Sequence, residues 1–307
     1  MYENTYDDRK DITAMGITGL AKGLLEAQGA GSFVEPPSVT HCLRLEDAYQ
    51  VGAEIARTRL RSGWRQAGWK VGLTNREIWH RWGLDRPIIA PVYRETIFRV
   101  PGEPQGTAPA AGPPQLAVPM GTRAAARLEV EVVFGFADVL DAGTVAGPRI
   151  DPIWIALGVE LVDCHYSGWR FDPADGVADF GLHAGLIVGP PVPLRADGDE
   201  TVDFADSLAD FARSLPDMAV SLSGDGEALA QGRGDAVLGS PFHVLAELHR
   251  SLGPAIAAYP APPAHSQTEG HDYIVSTGTL TPLVKARIGT TYEVEADQLP
   301  SFSFVLV

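Results

Sequence analysis

The stretch Arg127-Leu-Glu-Val-Glu-Val-Val-Phe-Gly-Phe136 limits what this chain can become more than any other. Leu128, Val130, Val132, Phe134 and Phe136 recur at every second position, the period of a strand with one buried face. The alternate face carries Glu129 and Glu131, followed by Val133 and Gly135. Two carboxylates two residues apart on one strand face stand roughly 6.5–7 Å apart at the backbone, close enough for their side chains to lean onto one cation. An edge strand showing acidic residues to water has the same pattern, so the strand alone leaves both readings open.

The rest of the chain narrows the choice. With 307 residues there is enough chain for a sizeable core, built as one large domain or as one domain with a smaller attachment. A net charge of −15, with no long basic run, argues against nucleic acid or an anionic membrane surface as partner. It suits a cleft that attracts a divalent cation. Cys42 and Cys164 form no disulfide framework and no metal-type spacing. The polar, acidic start MYENTYDDRKD is unlike a signal peptide, and no apolar run approaches the roughly 20 residues needed to cross a bilayer. The expected home is the cytoplasm.

Residues 1–12 read as frayed. Helical spacing over Ile17–Gln28 stops at glycine, and Leu45–Leu60 carries a stripe of Leu45, Ala48, Val51 and Ile55. Residues 1–66 are thus a small helical segment, and 67–307 the main β-rich domain. Gly68-Trp-Lys-Val-Gly-Leu-Thr74 is a strand with a lysine in an apolar run, its flanking glycines permitting close approach by a ligand or another strand. Thr74-Asn-Arg-Glu77 reads as a capping box opening a helix through about Trp82. Residues 101–122 are a Pro/Gly/Ala loop or insertion, and Asp151-Pro152 can open a short helix.

Ala156–Cys164 and Leu182–Gly189 are further strands. In the first, Glu160 lies in an apolar run, where an unpaired charge is costly, and Asp163 faces the other way. Residues 190–216 read as variable connection, Gly224-Asp-Gly226 as a hairpin turn, and Ser240–Leu252 as a helix stopped by Gly253-Pro254. Short strands follow from Tyr273 onward. This order suits an α+β fold with a curled mixed sheet better than alternating βαβ units.

Glu129, Glu131 and Glu160 form an all-oxygen ligand set, fitting Mg²⁺, Mn²⁺ or Ca²⁺ and leaving about half of an octahedral shell open. Such a site chelates an oxo-acid and stabilises an enolate. Lys70 serves as a charge partner or proton carrier. Gly68–Thr74, Arg127–Glu131, Gly158-Val-Glu-Leu-Val-Asp163, Gly232-Arg-Gly-Asp-Ala-Val-Leu-Gly-Ser-Pro241 and Ser276-Thr-Gly-Thr-Leu-Thr281, in that order, resemble the fumarylacetoacetate hydrolase superfamily. The closest likeness is to its 2-keto-4-pentenoate hydratase and 4-oxalocrotonate decarboxylase branch, over about residues 40–295.

The resemblance implies a mixed β-roll and a divalent metal, Mg²⁺ or Mn²⁺, on Glu129, Glu131 and Glu160. It further implies Lys70 as the acid/base group, a substrate-carboxylate contact at Thr277, Gly278 and Thr279, and a homo-oligomer. The chain departs from that branch where Ile88 stands at a usual Asp, and where Phe180 and Leu182 stand at a usual Asn and Ser. It gains His183, a candidate proton carrier or a packed strand histidine. His165 is a weaker candidate of the same kind. The implied function is a metal-dependent lyase, hydratase or decarboxylase, acting on a 2-oxo/2-hydroxy-dienoic acid through a metal-chelated enolate. A C–C bond hydrolase of an acylpyruvate and a catalytically degenerate partner subunit are the alternatives.

Overall fold

A computed structural model describes residues 10–101, 115–146, 151–194, 209–261 and 273–307. The expectations for residues 1–9, for most of 101–122 and for the middle of 190–216 fall outside them. Two helices lead, α1 (Ala14–Ala30) and α2 (Leu45–Arg61). The first is capped by Thr13 and ends on left-handed Gly31 (φ 60°), two residues beyond the glycine that the spacing picked out. The buried face of α2 includes Ala48, Val51 and Ile55.

The strands are β1 (Gln66–Gly72), β2 (Ile88–Tyr93), β3 (Ile97–Arg99), β4 (Gln115–Val118), β5 (Arg127–Phe136), β6 (Trp154–Val162) and β7 (His183–Val188). They continue with β8 (Ala219–Gly224), β9 (Glu227–Arg233), β10 (Tyr273–Thr279), β11 (Thr291–Ala296) and β12 (Phe302–Leu306). The larger sheet runs β2-β1-β10-β5-β6-β7-β3, with two-residue strands added at 192–193 and 284–285. Its pairings are mixed: β1–β10 and β3–β7 are parallel, while β10–β5, β5–β6 and β6–β7 are antiparallel. A second sheet runs β9-β8-β11-β12-β4. This is the mixed α+β architecture with curled sheets that the sequence implies. No helix among the described residues is long and apolar enough to cross a membrane.

β5 is central, with β10 on one side and β6 on the other, so its carboxylates are not those of an exposed edge. Both of its faces are covered. Leu128, Val130, Val132, Phe134 and Phe136 enter the main core, while Val133 joins a second cluster with Trp154, Ala156, Leu186 and Val188. Gly135 is required there, because a Cβ would stand 1.9 Å from the Trp154 ring. Gly68 admits β10, since a Cβ would lie 2.3 Å from the Ile274 carbonyl oxygen. The close approach foreseen at that glycine is therefore by a strand.

Four local expectations change. Asn75, not Thr74, caps the turn after β1, its side chain accepting from the Glu77 amide. Asp151-Pro152 starts no helix and leads directly into β6, while a short helix forms earlier, at Ala142–Val145, on the Asp141 cap. The helix from Pro241 continues through a π-turn at Leu248–Leu252 to Ala258, because Gly253-Pro254 occupies the first turn of its last segment, where proline needs no amide partner. Finally, β7 starts at His183, and Phe180–Leu182 before it form a tight left-handed turn. The hairpin at Gly224-Asp-Gly226 forms as expected, with Asp225 and Gly226 both at positive φ.

Candidate metal centre and active site

Antiparallel pairing of β5 with β6 sets Glu129 directly opposite Glu160 and Glu131 opposite Gly158. One carboxylate oxygen from each of the three glutamates lies within 4.8 Å of the others. Glu131 and Glu160 are fully buried and Glu129 is half-buried, so the cluster opens to solvent on the Glu129 side. Register brings together what sequence separation had kept apart.

Each glutamate is held differently. The Ser276 hydroxyl and the Gly278 amide, the latter at 3.0 Å, donate to Glu131 Oε2, while Glu131 Oε1 is buried without a hydrogen bond. These donors converge because β10 slips register against β5 between Ser276 and Thr279. Gly278 has φ 91°, and a Cβ there would meet Thr74 Oγ1 at 2.3 Å. The Thr277 hydroxyl donates to the Val132 carbonyl (2.9 Å), and that of Thr279 to the Thr281 carbonyl (2.8 Å). In the turn expected to contact a substrate carboxylate, the two threonine hydroxyls and the Gly278 amide are thus engaged within the protein, and the turn braces Glu131.

Lys70, on β1 and 4% exposed, aligns with Ser276 of β10. Its Nζ lies 3.2 Å from Glu160 Oε2 and donates to the Gly181 carbonyl at 2.9 Å. Burial pulls its pKa down, but attraction to Glu160, Glu129 and Glu131 outweighs this and holds it above the usual lysine value. The glutamates divide. Burial pushes Glu129 up to about 7 and Glu131 well above its usual range, the first raised further by Glu160 and the second by both Glu160 and Glu129. Glu160 is buried as deeply, yet Lys70 and His183 draw it below the usual range.

His183 Nδ1 lies 2.8 Å from Glu160 Oε1, and its Nε2 lies 2.9 Å from Thr96 Oγ1. Both ring nitrogens are therefore engaged. Burial lowers the pKa of His183 despite its carboxylate partner. His165 belongs to a different contact, with Nδ1 at 2.7 Å from buried Asp179. Asp163 is outside the cluster, accepting from the amides of Ala124 and Ala125. The wall beside Lys70 is apolar: a Cβ on Gly72 would stand 3.2 Å from Lys70 Nζ and 3.3 Å from Ile88 Cγ1.

Sequence reasoning missed Ser276, Thr96 and the Gly181 carbonyl. A serine directly after the apolar run Tyr273–Val275 was a usable signal; the other two were not, because loop geometry decides them. Phe180 and Leu182 flank Gly181 with φ of 57° and 63°, a conformation costing about 1–2 kcal/mol for each non-glycine residue. Such strain persists where the surroundings over-determine it.

No family model matches the chain. A 2-keto-4-pentenoate hydratase of Burkholderia vietnamiensis is 25% identical over 303 residues, covering 93% of this chain and 95% of the relative. A 4-oxalocrotonate decarboxylase of a Pseudomonas species is 21% identical over 294 residues, covering 94% and 98%. Among solved structures, the 4-oxalocrotonate decarboxylase from Pseudomonas putida G7, complexed with magnesium and adipate, superposes with a TM-score of 0.73 at 22% identity, over 97% of this chain and 100% of that one. The resemblance to 2-keto-4-pentenoate hydratases and 4-oxalocrotonate decarboxylases is borne out. The structural likeness carries the fold, and the chain spans nearly the full length of its hydratase and decarboxylase relatives.

Proposed function

We propose that this chain is a divalent-metal-dependent lyase acting on a 2-oxo or 2-hydroxydienoic acid, with Mg²⁺ or Mn²⁺ on Glu129, Glu131 and Glu160. The observation that carries the reading is the meeting of three carboxylates and one buried ammonium group. With every group ionised they total −3 + 1 = −2, the charge a divalent cation offsets. Glu131 Oε1, buried and without a hydrogen bond, is the kind of lone acceptor a cation completes. All donors are oxygen, the set preferred by hard cations. The residues fit the metal.

A cation held by Glu129, Glu131 and Glu160 would supply positive charge that favours electron flow onto an oxygen of the substrate. Lys70 then moves a proton to or from substrate carbon or departing oxygen. Held charged by the glutamates, Lys70 yields its proton more readily once positive charge sits among them. His183 and Thr96 hold Glu160 from behind, while Ser276 and Gly278 hold Glu131. His183 is accordingly a positioning residue for Glu160.

The relatives' names support a lyase, and a product assay tests it. Protein stripped with EDTA and reloaded with Mn²⁺ is expected to convert a 2-hydroxydienoate, by water addition or CO₂ loss, and to leave an acylpyruvate intact. Cleavage of the acylpyruvate into two acids, with the dienoate untouched, would replace the lyase by a C–C hydrolase. Metal-independent turnover would remove the metal reading altogether.

The pKa shifts give a separate test. Glu129 sits at about 7 in the folded protein against 4.5 as its ordinary value, and Glu131 is raised in the same sense. The folded state holds extra protons between those values, so this contribution to stability is full below the ordinary value and is lost as pH rises through about 7. A cation must displace those protons at low pH but not at high pH. The increase in Tm produced by a fixed Mn²⁺ concentration is therefore expected to be larger at about pH 8 than at about pH 6. An equal increase at both would show that Glu129 does not share a proton with the site.

A further inference from the structure

Arg59 is a charged side chain buried in the core, 5% exposed, at a place the carboxylate cluster does not explain. It projects from α2, the helix before the first strand of the large sheet. Its guanidinium lies 4.6 Å over Trp64, 4.8 Å over Tyr93 and 4.5 Å over Phe180. Nη2 donates to Gln28 Oε1 of α1 at 2.7 Å, and Nε is buried without a hydrogen-bond partner. A guanidinium desolvated among three ring faces gains cation–π attraction from each.

The third ring belongs to the strained turn. Phe180, Gly181 and Leu182 take φ of 57°, 62° and 63° in succession. The Leu182 amide donates to the Asp179 carbonyl at 2.6 Å, and the Gly181 carbonyl accepts from Lys70 Nζ. A Cβ on Gly181 would fall 2.5 Å from Ala90 Cβ and 3.5 Å from Lys70 Cδ, so the turn lies directly against the lysine side chain. A phenylalanine does not adopt this backbone by preference, and something must hold it there.

We propose that Arg59 is a positioning residue for Lys70. By gripping the Phe180 ring it keeps the 180–182 turn left-handed, and the Gly181 carbonyl then fixes the ammonium group against Glu160. The effect on turnover rests on the lyase reading above; the effect on the turn does not. A purely structural Arg59, tying α2 to β2 through Tyr93, would contribute to stability without singling out the turn.

The test pairs Arg59→Met with Phe180→Asn, because asparagine tolerates left-handed backbone and frees the turn from the need for a grip. Steady-state kinetics of the full-length Mn²⁺-loaded protein are expected to show Arg59→Met lowering kcat on the order of ten- to a hundredfold, with a smaller change in KM. In the Phe180→Asn background the same change should cost less than about threefold, since the coupling partner is gone. In metal-free protein, hydrogen exchange at the Leu182 amide should quicken with Arg59→Met and be no faster in the double variant than in Phe180→Asn alone.

An equal loss of kcat in both backgrounds, or unchanged Leu182 exchange in Arg59→Met, overturns the proposal. If no form turns over a dienoate, the lyase reading fails and the exchange measurement alone decides the grip. Arg59→Lys, which keeps the charge but loses the planar stack, is read in the same way should the methionine variant not fold.

Discussion

Replacing Lys70 by methionine is expected to lower kcat by at least about 10²-fold while leaving Mn²⁺ affinity at or above that of the unaltered protein. Methionine retains the length that fills the space between β1 and the 180–182 turn, so the lost quantity is charge and a transferable proton. Lys70 is the cation closest to Glu160, and it raises the acidity of the same carboxylates that would hold a metal. Its ammonium group therefore acts on the cluster in two ways, keeping Glu160 ionised and opposing the burial that raises Glu129 and Glu131, while it would compete with a bound cation for their charge. Removing it relieves the competition, while the metal itself takes over the task of offsetting the glutamates. Calorimetric titration with Mn²⁺ and a saturating-substrate rate measurement check both halves. Turnover surviving in Lys70→Met would remove the acid/base assignment; Mn²⁺ binding lost with it would mean that the lysine shapes the site more than it serves the reaction.

Glu160→Gln is expected to fail on both counts, with Mn²⁺ affinity down more than about 100-fold and turnover falling with it. Glu160 is the shared partner of the whole arrangement: one oxygen lies against Lys70 and the other against His183, and the carboxylate is aligned with Glu129 across the strand pair. Glutamine matches its shape but brings an NH₂ group that must face either an ammonium or a ring nitrogen, and it removes one of the three negative charges. Leaving Lys70 without its nearest counter-charge in a buried site costs about 3–5 kcal/mol by comparison with other broken buried pairs. The variant should thus also melt lower in the metal-free state. Retention of full Mn²⁺ affinity in Glu160→Gln would remove this residue from the ligand set, and with it the three-carboxylate centre.

These two variants separate the charge proposed to move a proton from the charge proposed to hold a cation. Their contrast is informative because the two groups touch. A pair of variants that lost metal and activity in equal measure would describe a single collapsed site.

Local chemistry made much of this legible in the sequence. The period-2 run at Leu128–Phe136 identifies a strand whatever surrounds it, and two glutamates at its alternate positions must share a face. Glu160 and Lys70 betray themselves by position, since a charged residue in an apolar run needs a partner. Gly278 and Gly68 mark backbone that must come close to something. The rotation and handedness of the 180–182 turn had no such signature, because Phe180 and Leu182 are residues that ordinarily avoid left-handed backbone. The engagement of His183 on both nitrogens, and of the Thr277 and Thr279 hydroxyls and the Gly278 amide with the protein's own groups, also depends on where neighbouring loops lie. The stop expected at Gly253-Pro254 fails for a similar reason: proline is tolerated wherever a new first turn begins, and only the packing of the following segment shows that one does.

What the residue order determined by itself is the chemical inventory: three carboxylates, one lysine, a β-rich frame and the glycines that let its strands meet. Only the tertiary structure decided that Glu129 stands opposite Glu160, that Lys70 reaches Glu160 from a strand three places away, and that Phe180 is held in strain beside it. Side-chain direction along one strand follows from local geometry, but the register between strands and the path of a loop are fixed by long-range packing.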